Sequence, residues 1–168
     1  ADIDPAQLVK AQAGKIPDDA VFTVVIDTGI VPFHDRFRNA DGTTRVVASW
    51  QQNALTDRFD QSLPYGREIV RSEIDADITR IENKTFSEEQ AIGHRGFICG
   101  PDEPGGVGFL KHSSDGMHTA DLACGHGPGN RPDGNTDPVI LVNLPPRKAI
   151  GRSGAYLPAW VIPAIQRA

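Results

Sequence analysis

Apolar residues in this chain fall into three short runs and several stretches of helical spacing. Val21 to Ile26 (VFTVVI) is an apolar, β-branched run, the pattern of a strand buried on both faces of a parallel sheet. Arg45 to Gln51 (RVVASWQ) and Val139 to Leu144 (VILVNL) give a second and a third strand. Ser72 to Asn83 carries Ile74, Ile78 and Ile81 at helical spacing, which predicts an amphipathic helix. Ser87 to Ala91 continues it as a second short helix. Ser114 or Asp115 reads as a helix N-cap and Gly125 as the residue just past that helix's end. Ser153 to Ala168 reads as a loop entering a helix with Pro158 in its first turn and Pro163 inside it. Asp4-Pro5 opens a short helix through Ala13. Gly93 to Gly108 and Pro128 to Pro138 read as loop and turn. Strands alternating with helices predict an α/β fold, a parallel sheet with helices on its faces.

Composition narrows the class. At 168 residues the chain is long enough for one domain with its own core. Hydrophobic content of 39% and charged content of 23% are those of a globular protein. Net charge is −5 and no Lys/Arg run appears, so no nucleic acid partner is expected. No apolar stretch approaches the roughly 20 residues that span a bilayer, so no membrane partner is expected either. The N-terminus shows no signal-peptide pattern, and a mature secreted chain would read the same; localisation stays open. Cys99 and Cys124 lack metal-site spacing and are compatible with one disulfide or two thiols. No cofactor or metal motif appears.

Two segments carry candidate chemistry. The first strand ends at Asp27-Thr28-Gly29, which puts Asp27 at a strand's carboxyl end, where catalytic groups collect in open α/β sheets. The second segment is Ser113-Ser114-Asp115-Gly116-Met117-His118-Thr119-Ala120-Asp121-Leu122-Ala123-Cys124-Gly125, which reads as a helix. Together they resemble the Asp and His motifs of the subtilisin-like serine proteases (subtilases), in which a hydrophobic strand ends in D-T/S-G and H-G-T-H-V-A opens a helix. His34 and Phe37 also match. The resemblance implies a three-layer α/β/α subtilisin-like sheet, here its N-terminal portion only. It implies peptide-bond hydrolysis by an Asp-His-Ser triad, with Asp27 orienting the base and stabilising its imidazolium.

The chain departs from that pattern at the base. Asp115 stands at the family's catalytic His, and a carboxylate is a far weaker base than imidazole. The G-T-S segment with the nucleophile is absent up to Ala168. The simpler reading of Asp115 is a helix cap at the positive end of the dipole. Facing Asp27, it would otherwise repel that carboxylate or recruit a cation. His118 matches the family's second His, which the resemblance places inside. His112 and His126 read as loop residues, and Cys124 as a core residue.

Arg152-Ser153-Gly154-Ala155-Tyr156 is similar to the family's S-G-x-Y segment beside the substrate. On that basis Ser153, Gly154 and Tyr156 are carried over as substrate-binding residues. Residues 1–19 read as an N-terminal extension, 20–168 as the partial domain, and 52–109 as an insertion marked by Tyr65-Gly66-Arg67-Glu68. Three functions follow as expectations. The first is a partial or degenerate subtilase, inactive as a single chain. The second is a pseudoprotease module that binds a peptide or protein partner. The third is a metal-dependent site on Asp27 and Asp115. Because the third strand, Val139–Leu144, is expected at an open sheet edge, a second chain or a C-terminal segment is expected to complete the sheet.

Overall fold

In a computed structural model of the chain, the described residues are 16–54, 63–96, 114–134, 136–145 and 154–168. Their elements in chain order are β1 (Thr23–Asp27), β2 (Val46–Gln51), β3 (Arg67–Val70), α1 (Arg71–Glu82), α2 (Glu88–His94), α3 (Ser114–Cys124), β4 (Val139–Asn143) and α4 (Leu157–Arg167). Short 3-10 turns lie at Asp35–Phe37 and Pro128–Asn130. Among the described residues no helix is long and apolar enough to cross a membrane.

The strands form one sheet in the order β1-β4-β2-β3. β4 runs parallel to both β1 and β2, and β3 pairs antiparallel with β2. The fold is therefore α/β with a mostly parallel sheet, as the alternation of elements predicts. Two expectations need correction. The third predicted strand is not an edge: β4 is flanked on both sides, because the connection from β2 returns it between β1 and β2. Among the described residues the outer strands are β1 and β3 instead. Nor is β1 buried on both faces. Val25 is in the core, but Val24 is 38% exposed and Val21 lies outside the strand in solvent. A β-branched run fits a half-covered edge strand as well as a central one.

Helices cover both faces of the sheet. On one face Val25, Val46, Ile69, Val139 and Leu141 pack with Ile74 and Ile78 of α1, Ala91 and Ile92 of α2, and Ala120 and Cys124 of α3. On the other, Trp50 and Val142 meet Leu63 and Ala164 of α4. Alternation divides the two sets along β4, where Leu141 and Val142 face opposite ways, whereas in β2 a register shift between Val46 and Ala48 puts Val46 and Trp50 on opposite faces.

The region read as an insertion supplies β3, α1 and α2. β3 was not legible as a strand, since its four residues, Arg67–Val70, run straight into α1. α2 is held by a capping box: the Ser87 hydroxyl accepts from the Gln90 N–H (3.0 Å) and the Gln90 side chain accepts from the Ser87 N–H (2.8 Å). Buried Arg95 ties α2 to α1 through Asp77 and Glu73. At the far end of α3, buried Arg45 donates to the carbonyls of Cys124 (2.6 Å) and Asp137 (2.9 Å). A guanidinium there satisfies a helix's last carbonyls and its negative pole.

Candidate functional site

The parallel registers bring three polar residues abreast at the carboxyl ends of the strands: Asp27 of β1, Asn143 of β4 and Gln51 of β2. The chain reaches β4 by way of helices on one face and leaves it for α4 on the other. In open α/β sheets ligands commonly bind outside the strand ends where such a switch in direction occurs.

Asp27 sits at this edge, partly buried. Its Oδ1 accepts the Thr28 N–H at 2.7 Å, and its backbone carbonyl accepts the Leu144 N–H at 2.9 Å. Among the described residues the other carboxylate oxygen has no hydrogen-bond partner. The chain then turns through Gly29, whose φ of 73° is the left-handed region that glycine tolerates best. Buried Asn143 holds the turn. Its Oδ1 accepts the Ile30 N–H at 2.6 Å and its Nδ2 donates to the Ile30 carbonyl at 2.9 Å.

The first turn of α3 rests on the same turn. Gly116 is packed so closely that an added Cβ would lie 2.0 Å from the Thr28 carbonyl oxygen and 3.1 Å from Ile30 Cγ1. Met117 Sδ accepts the Val31 N–H at 3.2 Å. Arg36, in the following 3-10 turn, reaches Asp121 of α3 at 2.6 Å. The two motif segments, far apart in sequence, are thus one packed unit.

Asp115, next to Gly116, lies inside the first turn, because α3 already begins at Ser114. Its carboxylate is exposed and makes no hydrogen bond or ion pair among the described residues. In that turn it still faces the positive end of the helix dipole. His118 is exposed, against the inward placement that the resemblance implies. The inward face of α3 is Gly116, Ala120 and Cys124, one residue per turn, so His118 falls on the solvent side. Cys124 is buried and free, and burial raises its thiol pKa. Burial also lowers the pKa of His126, helped by the nearby Arg45 guanidinium.

Of the residues carried over as substrate-binding, Ser153 lies outside the described residues, as do Cys99 and His112. Gly154 has φ 70° in the turn before α4. Tyr156, the residue before that helix, is 66% exposed. No hydrogen bond among the described residues joins Gly154 or Tyr156 to Asp27 or Asp115. α4 is anchored to the strand ends elsewhere: Gln52 Nε2 donates to the Trp160 carbonyl at 2.9 Å, and the Tyr65 ring packs edge-on against Trp160 at 5.2 Å. Among the described residues Gln52 Oε1 and the Tyr65 hydroxyl are buried without hydrogen-bond partners, and burial raises the Tyr65 pKa.

Motif reading passed over Asn143, and it included Gly116 and Met117 without giving them the supporting contacts they make. A polar Asn ending an apolar strand was the available signal for Asn143. The Met117 contact had none. Among the described residues no three His, Cys, Asp or Glu side chains are grouped to hold a metal ion. A groove lined by Ala20, Val21, Asp137 and Pro138 lies at the amino ends of β1 and β4, away from Asp27.

No protein-family model matches this chain, and no curated protein matches it.

Proposed function

We propose that this chain is the N-terminal part of a subtilisin-like serine endopeptidase domain, degenerate at the base and inactive as a single chain. The observation that carries the reading is the packing of Gly116 onto Thr28. A D-T-G strand end and the helix of the second motif must meet for an Asp-His pair to exist, and here they share a contact too close for any side chain. Among the described residues Asp27 has an oxygen left to receive a donor, as the triad's orienting carboxylate requires. Asp115 stands at the base position and supplies no imidazole, so the relay is broken there.

The open β1 edge supports a further part of the reading. Val24 is exposed on β1, as are Val21 and Phe22 just before it, and a strand edge beside apolar surface is a place for another strand. A second chain or a further segment would complete the sheet there rather than at β4.

A fluorogenic peptide and a serine-directed fluorophosphonate test the reading. The account expects no hydrolysis and no labelled serine. Reproducible labelling of one serine would overturn it. Sequencing the reading frame past the Ala168 codon separates the two peptide-directed alternatives. A G-T-S segment there supports the protease domain. Its absence, with measurable peptide binding, favours the pseudoprotease, whose exposed Tyr156 would then face the peptide.

A further inference from the structure

We propose that Asn143 is the positioning residue of this site: its carboxamide grips the Ile30 peptide groups and so sets the turn that presents the Asp27 carboxylate. The inference rests on Asp27 being the working carboxylate of the proposed function.

Geometry and burial together carry it. Asn143 is 3% exposed and Ile30 is fully buried, so water cannot replace either bond. Ile30 offers one donor and one acceptor to the same side chain. A carboxamide answers both at once. An ionised carboxylate has no donor for the carbonyl, and an apolar isostere has neither group. Asn143 is also the register partner of Asp27 across the parallel pair. The strand-to-strand ladder therefore fixes the start of the turn at Asp27 while the side chain fixes it three residues on. Between these points lie Thr28, whose N–H bonds the Asp27 carboxylate, and Gly29, which has no side chain to hold it. Without the grip, no hydrogen bond among the described residues joins β4 to the turn beyond Asp27. Gly116 and Met117 of α3 support its other side.

The alternative is that Asn143 only fills space at a strand end. Amide exchange by NMR separates the two, with the Thr28 amide as reporter of the carboxylate's surroundings. In Asn143→Asp at pH 7, exchange at Thr28 and Ile30 should accelerate about tenfold or more over wild type, while Ile69 and Ile78 keep their protection. The effect should shrink on acidification. A protonated carboxyl regains an O–H for the Ile30 carbonyl and a C=O for the Ile30 N–H. Facing a carbonyl in a buried place raises the introduced group's pKa in the folded state. Its stabilising form is then fully present below the unfolded value of about 4 and is lost as pH rises through the folded value.

Unchanged Thr28 and Ile30 amides, or an equal loss of protection at every amide, would overturn the proposal. If the variant does not fold, the wild type decides. Its Asn143 carboxamide protons should exchange slowly, and exchange at the free-amide rate would overturn the proposal equally. Neither measurement uses peptide hydrolysis or peptide binding. A labelled serine would end the reading of an inactive chain without touching this result, and a mobile Asn143 would end this inference without touching that reading.

Discussion

The two faces of the sheet are covered unequally. Three helices and the loop after β1 fill one face with a continuous core in which Ile30, Phe33, Phe37, Ile69, Ile74, Ile92, Val139 and Leu141 are essentially sealed. On the other face α4 contributes one fully buried residue, Ala164, and leaves Ile162 and Ile165 in solvent. Every described contact that shapes the Asp27 turn comes either from the thick side or from β4. The site is thus a product of the well-packed face. Among the described residues the thin face has apolar surface to spare, and no strand pairs with the outer edge of β1. Precision at a site requires a dense support, whereas a place for further structure needs only an uncovered one.

The largest effect should come from Gly116, where the thick side touches the site. Gly116→Val puts a branched side chain into the Thr28 carbonyl, and backbone cannot give way cheaply. A loss of about 3 kcal/mol or more is expected in chemical denaturation. Gly129→Ala has nothing within 4 Å of the new methyl and should leave stability nearly unchanged. Equal effects would mean that α3 does not rest on the turn.

The two faces can be compared with one substitution type. Ile78→Ala removes a buried side chain from the thick core and should cost about 2–4 kcal/mol. Ile165→Ala, on the exposed face of α4, should stay within about 0.5 kcal/mol. A large cost at Ile165 in the purified chain would show that the thin face is already covered in solution.

Much of this inequality was legible in the sequence, and some was not. The helical spacing of Ile74, Ile78 and Ile81 marks one apolar stripe, and the structure buries the first two and packs the third against the core. β4 was legible as a strand but not as a central one, because strand order depends on where a crossover lands. The same limit made β1 read as an inner strand. Asp27 at a strand end and Gly116 at a helix start could be read from their motifs. Asn143 could be seen as an oddity but not as a clamp, since its partner is 113 positions away. The exposure of His118 follows from the inward face of α3, which a motif match does not specify.

A smaller effect separates two accounts of Asp115. As a first-turn carboxylate it favours the helix dipole, so Asp115→Asn should lower stability by a few tenths of a kcal/mol up to about 1 kcal/mol. If Asp115 and Asp27 repelled each other strongly, the same change would raise it. Its exposure favours the first outcome, and thermal melting at pH 7 decides.

The central claim is that Asp27 and the first turn of α3 form one site, and restoring the missing base tests it most directly. The Asp115→His variant is titrated by proton NMR, with and without Asp27→Asn. A free imidazole titrates near 6.5. The account predicts that the introduced imidazole titrates at least about one unit higher with Asp27 present than with Asp27→Asn, a coupling of about 1.4 kcal/mol. An imidazole whose titration does not depend on Asp27 would contradict it.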